Sequence, residues 1–461
     1  MAKQTYRIRD PIHGLIEFSE REKRLIDTPV FQRLRRIRQL AMAFLVYPGA
    51  LHTRFDHSIG VMHIAGRICN ELKKVRRNKI TKGDIEKIRF AALLHDIGHG
   101  PFSHTSEEIL TTANNTNKDE GDSNTDSKQI RKKIHEKITV DIIQMDQDIK
   151  RVLDSDDERN FVVKLIEDKD MWDWQRNIIS SELDADKMDY LLRDAYFAGV
   201  KYGQYDLEQI IESCRIYTER NTTSLVMSSE GIYALEQLLL ARYHMTQQVY
   251  QHRVSLIAEQ MIIRGINLAI REGNVDIEKL YQYDENDKEN FIQRYLNYHD
   301  EKLIDVLRNC KEEKACEIFK RLYHRNLFKM VAELSLKDVK DQITQLRLLE
   351  MSDTQKLEWE QEIGNRLKID PDYVILYKHK IPNPDYGSRS KILSSESIKI
   401  FDDKLRRPRN IWDYAMELSF VRPNAADALS LETVQIYAPL DSDQKQRAKL
   451  EKAVRKIFKV T

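Results

Sequence analysis

Apolar residues recur every three or four positions along much of this chain, and little interrupts them. In DTPVFQRLRRIRQL, Phe31, Leu34, Ile37 and Leu40 fall on one helical face, with Asp27 or Thr28 as N-cap and Pro29 at the first helical position. A short break, VYPGALHTRFDH, precedes SIGVMHIAGRICNEL, where Val61, Ile64, Ile68 and Leu72 repeat the spacing. A third helix is expected over ITKGDIEKIRFAALLHDIGHG, ending at glycines. Helical patterns resume in SELDADKMDYLLRDAYFAGV and in EGIYALEQLLLARYHMTQQVYQHRVSLIAEQMIIRGI. With 15 Gly and 10 Pro in 461 residues, long helices with few breaks are expected.

Beyond about Ser335 the texture changes, and DYVILYKHK, SIKIFDD and ETVQIYAPL read as strands among helices. The expected architecture is mainly α, with a helical core over residues 1–330 and a smaller C-terminal α/β lobe over residues 331–461. Residues 111–128, TTANNTNKDEGDSNTDSK, are polar and of low complexity, and are expected to be disordered. The N-terminus has no apolar leader, and no run approaches the roughly 18 apolar residues of a membrane span, so a cytoplasmic protein is expected. Cys69, Cys214, Cys310 and Cys316 lack the spacing of a disulfide framework or zinc knuckle and read as inert thiols. Seventy-five Lys and Arg against 74 Asp and Glu exclude a general polycation, so any affinity for phosphate must be local.

Eight of the 13 histidines lie in the first 135 residues, three of them in LLHDIGHGPFSH. His95 and Asp96 adjoin at the end of an apolar helix, where an unpaired buried pair would cost several kcal/mol. His57 opens another helix, and Asp184 and Asp186 follow in ELDADKMDY. Two imidazoles and two carboxylates suit one divalent cation with open positions, and such a cation lowers the pKa of a coordinated water. His99 and His104 follow His95 closely enough to meet a substrate. His63 and His244 read as core histidines, and His13 and His52 as turn residues.

Taken together, DPIHG, IDTPVFQRLRRIRQL, PGALHTRFDHSIGV, LLHDIGHGPFSH and DADKMDYLLRDA resemble the HD-domain deoxynucleotide triphosphohydrolases. The resemblance is to the branch of the sterile-alpha-motif/HD-domain dNTPase and its bacterial relatives, and it runs over roughly residues 6–260. It implies an HD-domain helical core with His57, His95, Asp96 and Asp186 as ligands of Fe, Mn, Zn, Co or Ni. It places His99, His104 and His135 around the α-phosphate, with Glu136 supporting His135. Glu107 stands where the family has an Asp orienting the His104 equivalent. It assigns the phosphates, accompanied by Mg²⁺, to Arg54, Lys187 and Arg242. Tyr190 then packs where a 2′-hydroxyl would sit, Asp194 and Gln39 hold the 3′-hydroxyl, and Tyr250 and Gln251 lie near sugar and base.

The implied reaction yields deoxynucleoside and intact inorganic triphosphate. Asp27, Gln32, Arg35 and Arg253 match an activating nucleotide site between subunits, which implies a homo-oligomer, dimer or tetramer. The family's Arg and Lys before the long helix are replaced here by Ser228 and Glu230, so its two-nucleotide activation is not carried over. Two rivals stand beside this reading: an HD phosphohydrolase or phosphodiesterase for another nucleotide, and a nucleotide- or nucleic-acid-binding regulator with a structural HD site. The RLRRIR run supports the last, but reads equally as an amphipathic helix with a solvated Arg face. Near-zero net charge disfavours nucleic acid.

Overall fold

A computed structural model describes residues 5–75, 80–115, 134–167, 173–220, 222–380, 398–414, 432–440 and 444–460. The chain is mainly α-helical, with small sheets. It forms two compact units that interleave along the sequence instead of dividing at residue 330. The first comprises Met1–Tyr250, Lys279–Glu301 and Gly387–Arg422; the second comprises Gln251–Glu278, Lys302–Tyr386 and Pro423–Thr461.

In the first unit a hairpin, β1 (Tyr6–Asp10) and β2 (Gly14–Phe18), precedes α1 (Glu20–Ile26) and α2 (Pro29–Arg33). Thr28 caps α2, accepting from the Phe31 amide at 3.3 Å, with Pro29 at the first helical position. The helix stops well short of the expected Leu40. A 3₁₀ turn covers Leu34–Arg36, and Ile37 is extended. Arg38 then pairs as a bridge with Thr53, just ahead of α3 (Arg54–Val75). The length of α3 follows from its buried stripe, including Ile59, Val61, Ile64, Ile68 and Leu72. Next comes α4 (Lys82–Leu94), opened by a Thr81–Asp84 capping box and closed with His95 as its C-cap.

Residues 111–115, expected to be disordered, continue the helix α5 (His104–Asn115); residues 116–128 lie outside the described residues. The first unit's sheet has the order β3 (Cys214–Glu219), β4 (Thr222–Ser228), β7 (Lys399–Asp402), β8 (Arg407–Asn410). The β4–β7 pair is parallel, so SIKIFDD, expected in a C-terminal lobe, serves the first unit. The long apolar segment near residue 240 is not one helix. It runs Ile232–Met245, passes through a π-helical turn at Thr246–Tyr250, and the helix Arg253–Arg271 begins in the second unit.

The second unit is built on an antiparallel sheet of order β5 (Lys329–Ser335), β9 (Glu432–Ala438), β6 (Ile375–Lys380). Leu334, Leu376, Val434 and Ile436 from its strands form one core with Trp359, Ile363, Val454 and Phe458 from its helices. This is the α/β lobe, in a different set of segments. Cys69, Cys214, Cys310 and Cys316 are all free thiols. Among the described residues no helix is long and apolar enough to cross a membrane.

Candidate functional site

His57 lies in the first turn of α3 and is fully buried. Its Nδ1 meets Asp189 Oδ2 at 2.8 Å. Asp189 also takes His13 Nε2 at 2.6 Å and Arg193 Nε and Nη2 at 2.8 and 2.9 Å, and Arg193 Nη1 continues to Asp10 at 2.8 Å. This fixes the ring and turns Nε2 inward, 2.9 Å from Asp186 Oδ1 and 3.8 Å from Asp96 Oδ2. His95 is held through Nδ1 by the Ala92 carbonyl at 2.8 Å, with Nε2 at 3.3 Å from Asp96 Oδ1 and 3.8 Å from Asp186 Oδ1.

Both Nε2 atoms are buried and make no well-directed hydrogen bond. Although His57 Nε2 and Asp186 are close, their approach lacks hydrogen-bond direction, an arrangement suited to an ion between the donors. His57, His95 and Asp96 each offer a ligand atom within 4.8 Å of the others, and could hold a metal. The electrostatics favour a cation there. Burial opposes a charged His57, but Asp186 and Asp189 outweigh it and raise its pKa to about 10. Burial opposes ionised Asp96, yet Arg54, His95 and His99 hold it well below the usual carboxylate range.

A second group converges on Glu107. Its Oε1 is 3.0 Å from His99 Nδ1, 3.1 Å from His104 Nδ1 and 3.0 Å from His135 Nδ1. The His104 contact is a hydrogen bond, whereas His99 and His135 Nδ1 approach without hydrogen-bond direction. The rings of His99 and His135 stack at 4.1 Å. Burial favours neutral Glu107, but the imidazoles keep it ionised, well below the usual range. Burial, Arg54 and His135 push His99 down to about 4, so it is neutral at physiological pH.

Gly98 permits this convergence. A Cβ there would collide with the His135 carbonyl and with Thr139, whose hydroxyl accepts the Gly98 amide at 3.0 Å. Phe102 and Ser103 adopt left-handed φ values of 61° and 54°, a strain held by Asp300 accepting the Phe102 amide at 2.8 Å. Glu107 thus places a carboxylate at His135, and Glu136, to which the resemblance assigns that support, lies in the first turn of the helix Ile134–Met145.

Arg54 connects the two groups. Its Nη1 donates to Asp96 at 2.5 Å and its Nε to Ser103 Oγ at 2.8 Å, while Nη2 is buried without a partner. Asp184 caps the helix Ala185–Ala198 and binds Lys187 Nζ at 2.7 Å. Arg242 pairs with Glu182 at 3.0 Å. Burial raises the Tyr190 phenol to about 12, countered by its neighbours Arg242 and Lys187. Asp194 accepts His52 Nε2 at 2.8 Å and the Tyr250 hydroxyl at 2.8 Å. The Gln39 amide donates to the His52 carbonyl at 3.1 Å, and Gln39 Oε1 is buried and unpartnered. His57, His95, Asp96 and Asp186 therefore come together, as do His99, His104, His135 and Glu107. Gln251 falls in the second unit.

Several sequence readings are corrected. The RLRRIR run is solvated only in part: Arg35 and Arg36 are exposed, whereas Arg33 is buried and donates to the carbonyls of Tyr298 at 3.0 Å and His99 at 2.9 Å. Arg193 is fully buried behind His57. His52 and His13 hold Asp194 and Asp189 rather than turns, and His244 is exposed beside Tyr202 and Tyr243. The i, i+4 spacing of Asp189 and Arg193 allows an ion pair but does not say whether it is buried.

Of the expected activator residues, Asp27 pairs with Lys23 at 2.5 Å, Gln32 accepts from Arg35 at 2.9 Å, and Arg35 lies over Phe55. Arg253 lies in the second unit, where it lines a cavity of about 260 Å³ with Arg325, Lys329 and Arg447. Sequence reasoning missed those three cations, which come from separate segments.

The HD domain family matches residues 54–194, and the HD associated region matches residues 205–295 and 286–404. An uncharacterized protein of Bacillus subtilis, YwfO, is 32% identical over 65% of this chain and 68% of its own length. The chain belongs to the HD-domain family. This HD-domain protein is also 31% identical to the deoxynucleoside triphosphate triphosphohydrolase SAMHD1 homolog of Dictyostelium discoideum, over 71% of this chain and 60% of that one. It spans 55% of the human and 56% of a Methanocaldococcus jannaschii relative. A phosphohydrolase structure from Bacteroides thetaiotaomicron has the same fold, with a TM-score of 0.70 at 22% identity, covering 94% of this chain and 100% of that one.

Proposed function

We propose that this HD-domain protein hydrolyses deoxynucleoside triphosphates to deoxynucleoside and inorganic triphosphate. The observation that carries the reading is the pair of orphaned, buried Nε2 atoms of His57 and His95 facing Asp96 and Asp186, with the unpartnered Nη2 of Arg54 alongside. The deoxynucleoside triphosphate triphosphohydrolases among the chain's relatives supply the reaction class.

His57, His95, Asp96 and Asp186 hold a divalent cation, one of Fe, Mn, Zn, Co or Ni. A cation so held lowers the pKa of water and neutralises charge at the α-phosphorus. Arg54 Nη2, Lys187 and Arg242 bind the phosphate chain and stabilise the charge that develops on it, with Mg²⁺ accompanying the nucleotide. Glu107 fixes Nδ1 of His104, so that its Nε2 delivers a proton to the departing 5′-oxygen. His99, held neutral by burial and by Arg54, and His135, stacked on it, line the α-phosphate. Tyr190 packs against the sugar to favour deoxyribose, Asp194 and Gln39 hold the 3′-hydroxyl, and Tyr250 approaches sugar and base.

The working form is a homo-oligomer, a dimer or tetramer. Asp27, Gln32, Arg35 and Arg253 contribute to its control, and Ser228 and Glu230 make that control differ from two-nucleotide activation. Incubation with each dNTP and rNTP, singly and mixed, followed by ion-exchange separation of products, tests the proposal. Deoxynucleoside plus intact triphosphate is expected. Consumption of monophosphates alone, or of nothing, overturns it.

A further inference from the structure

A separate cavity of about 710 Å³ lies in the first unit, between residues 176–183 and the strands β3, β4, β7 and β8. It touches Lys187 at one edge; Arg176, Lys399 and Arg407 supply further positive charge from segments outside the candidate site. Arg176 is the unusual member. It is 8% exposed, yet no carboxylate pairs with it among the described residues. Among the described residues its Nε is buried without a hydrogen-bond partner, and its Nη1 meets the Ser180 carbonyl at 3.5 Å. Burying a guanidinium without a counter-charge is costly, and a protein that does so has kept the charge for an anion it does not itself supply.

The acids on the wall do not fill that role. Glu182 is taken by Arg242 at 3.0 Å, and Glu219 lies on a strand end that is exposed. The hydroxyls of Ser180, Ser181 and Ser224 add neutral hydrogen-bonding groups to the lining. The volume falls in the roughly 300–1,000 Å³ range of small-molecule sites, far more than one phosphate needs.

We propose that this cavity binds the phosphate chain of an oligophosphate, with Arg176 as the buried counter-charge and Lys399 and Arg407 along the chain. The chain can arrive as inorganic triphosphate or as the tail of a nucleotide, and binding it does not depend on the reaction proposed above.

The test is calorimetric titration of full-length Arg54→Gln protein, in which the candidate substrate site is weakened, with inorganic triphosphate and separately with dGTP. Retained triphosphate binding is expected, weakened about tenfold by a further Arg407→Gln or Lys399→Gln and more by Arg176→Gln, one charge-assisted contact being lost each time. The two exposed-side variants carry the test if Arg176→Gln does not fold. A matching loss with dGTP identifies the nucleotide tail as a source; a loss with inorganic triphosphate alone identifies the bare chain. Triphosphate affinity unmoved by Arg407→Gln and Lys399→Gln, or abolished by Arg54→Gln alone, overturns the proposal. If wild-type protein hydrolyses no dNTP while Arg407-dependent binding persists, the reaction fails and the cavity assignment stands.

Discussion

Two groups of histidines adjoin in this protein, and the fold treats them in opposite ways. His57 and His95 each have one ring nitrogen tied to the protein and the other left bare among carboxylates. His99, His104 and His135 instead converge on Glu107, with His99 Nε2 also 3.3 Å from Asp96, and His104 has a side chain 77% exposed. The same residue type is thereby assigned to two tasks. Fixed ring nitrogens aimed at carboxylates suit a cation, and imidazoles gathered on one acid suit a substrate and a proton. Arg54, bonded to Asp96 in one group and Ser103 beside the other, ties the two together.

The division can be broken one side at a time. Asp96→Ala removes a ligand and the counter-charge of Arg54, and turnover should fall by about a thousandfold or more, with loss of bound metal by elemental analysis. Glu107→Gln should cost about a hundredfold or more in kcat while metal content stays stoichiometric, because it frees only the proton-handling imidazoles.

Asp189→Asn probes the buried support of His57. Metal affinity should drop by about 10–100-fold in competition with a chelator, with thermal stability lowered because Arg193 loses one of its two buried carboxylate partners. The same group has a pH signature. In metal-free protein His57 titrates near 10 against 6.5 when unfolded, so its contribution to stability is complete below 6.5 and lost as pH rises through 10. Asp189→Asn should flatten that alkaline limb in denaturant titrations.

The smallest effect is expected away from both groups. Burial, with His13 and Arg67 nearby, lowers His63 to about 4. The unfolded chain therefore takes up a proton that the folded chain refuses, and stability declines as pH falls from 6.5 towards 4. His63→Gln should reduce that decline, and an unchanged acid limb would contradict the assignment.

Much of the site was legible because its residues carry chemistry at short range. His95 and Asp96 are adjacent, Asp184 and Asp186 share a turn, and an apolar helix has no other use for them. The support behind them was not legible. Asp10, His13, His57, Asp189 and Arg193 come from three distant segments, and nothing in sequence distinguishes a buried i, i+4 ion pair from a solvated one. Arg33 misled for the same reason: its burial depends on the carbonyls of His99 and Tyr298, far along the chain. Individual strands such as Ile375–Lys380 showed in their alternation, but which sheet each joins did not. Lys399–Asp402 pairs with β4 through two-residue parallel contacts that leave no local pattern.

The central claim is that the two histidine groups are separable, one for the metal and one for the substrate. The most direct measurement is the metal content of Glu107→Gln and Asp96→Ala proteins, purified side by side and set against their turnover. Full metal with little turnover in Glu107→Gln, and neither in Asp96→Ala, is the predicted result. Loss of metal from Glu107→Gln, or a full complement in Asp96→Ala, would contradict the division.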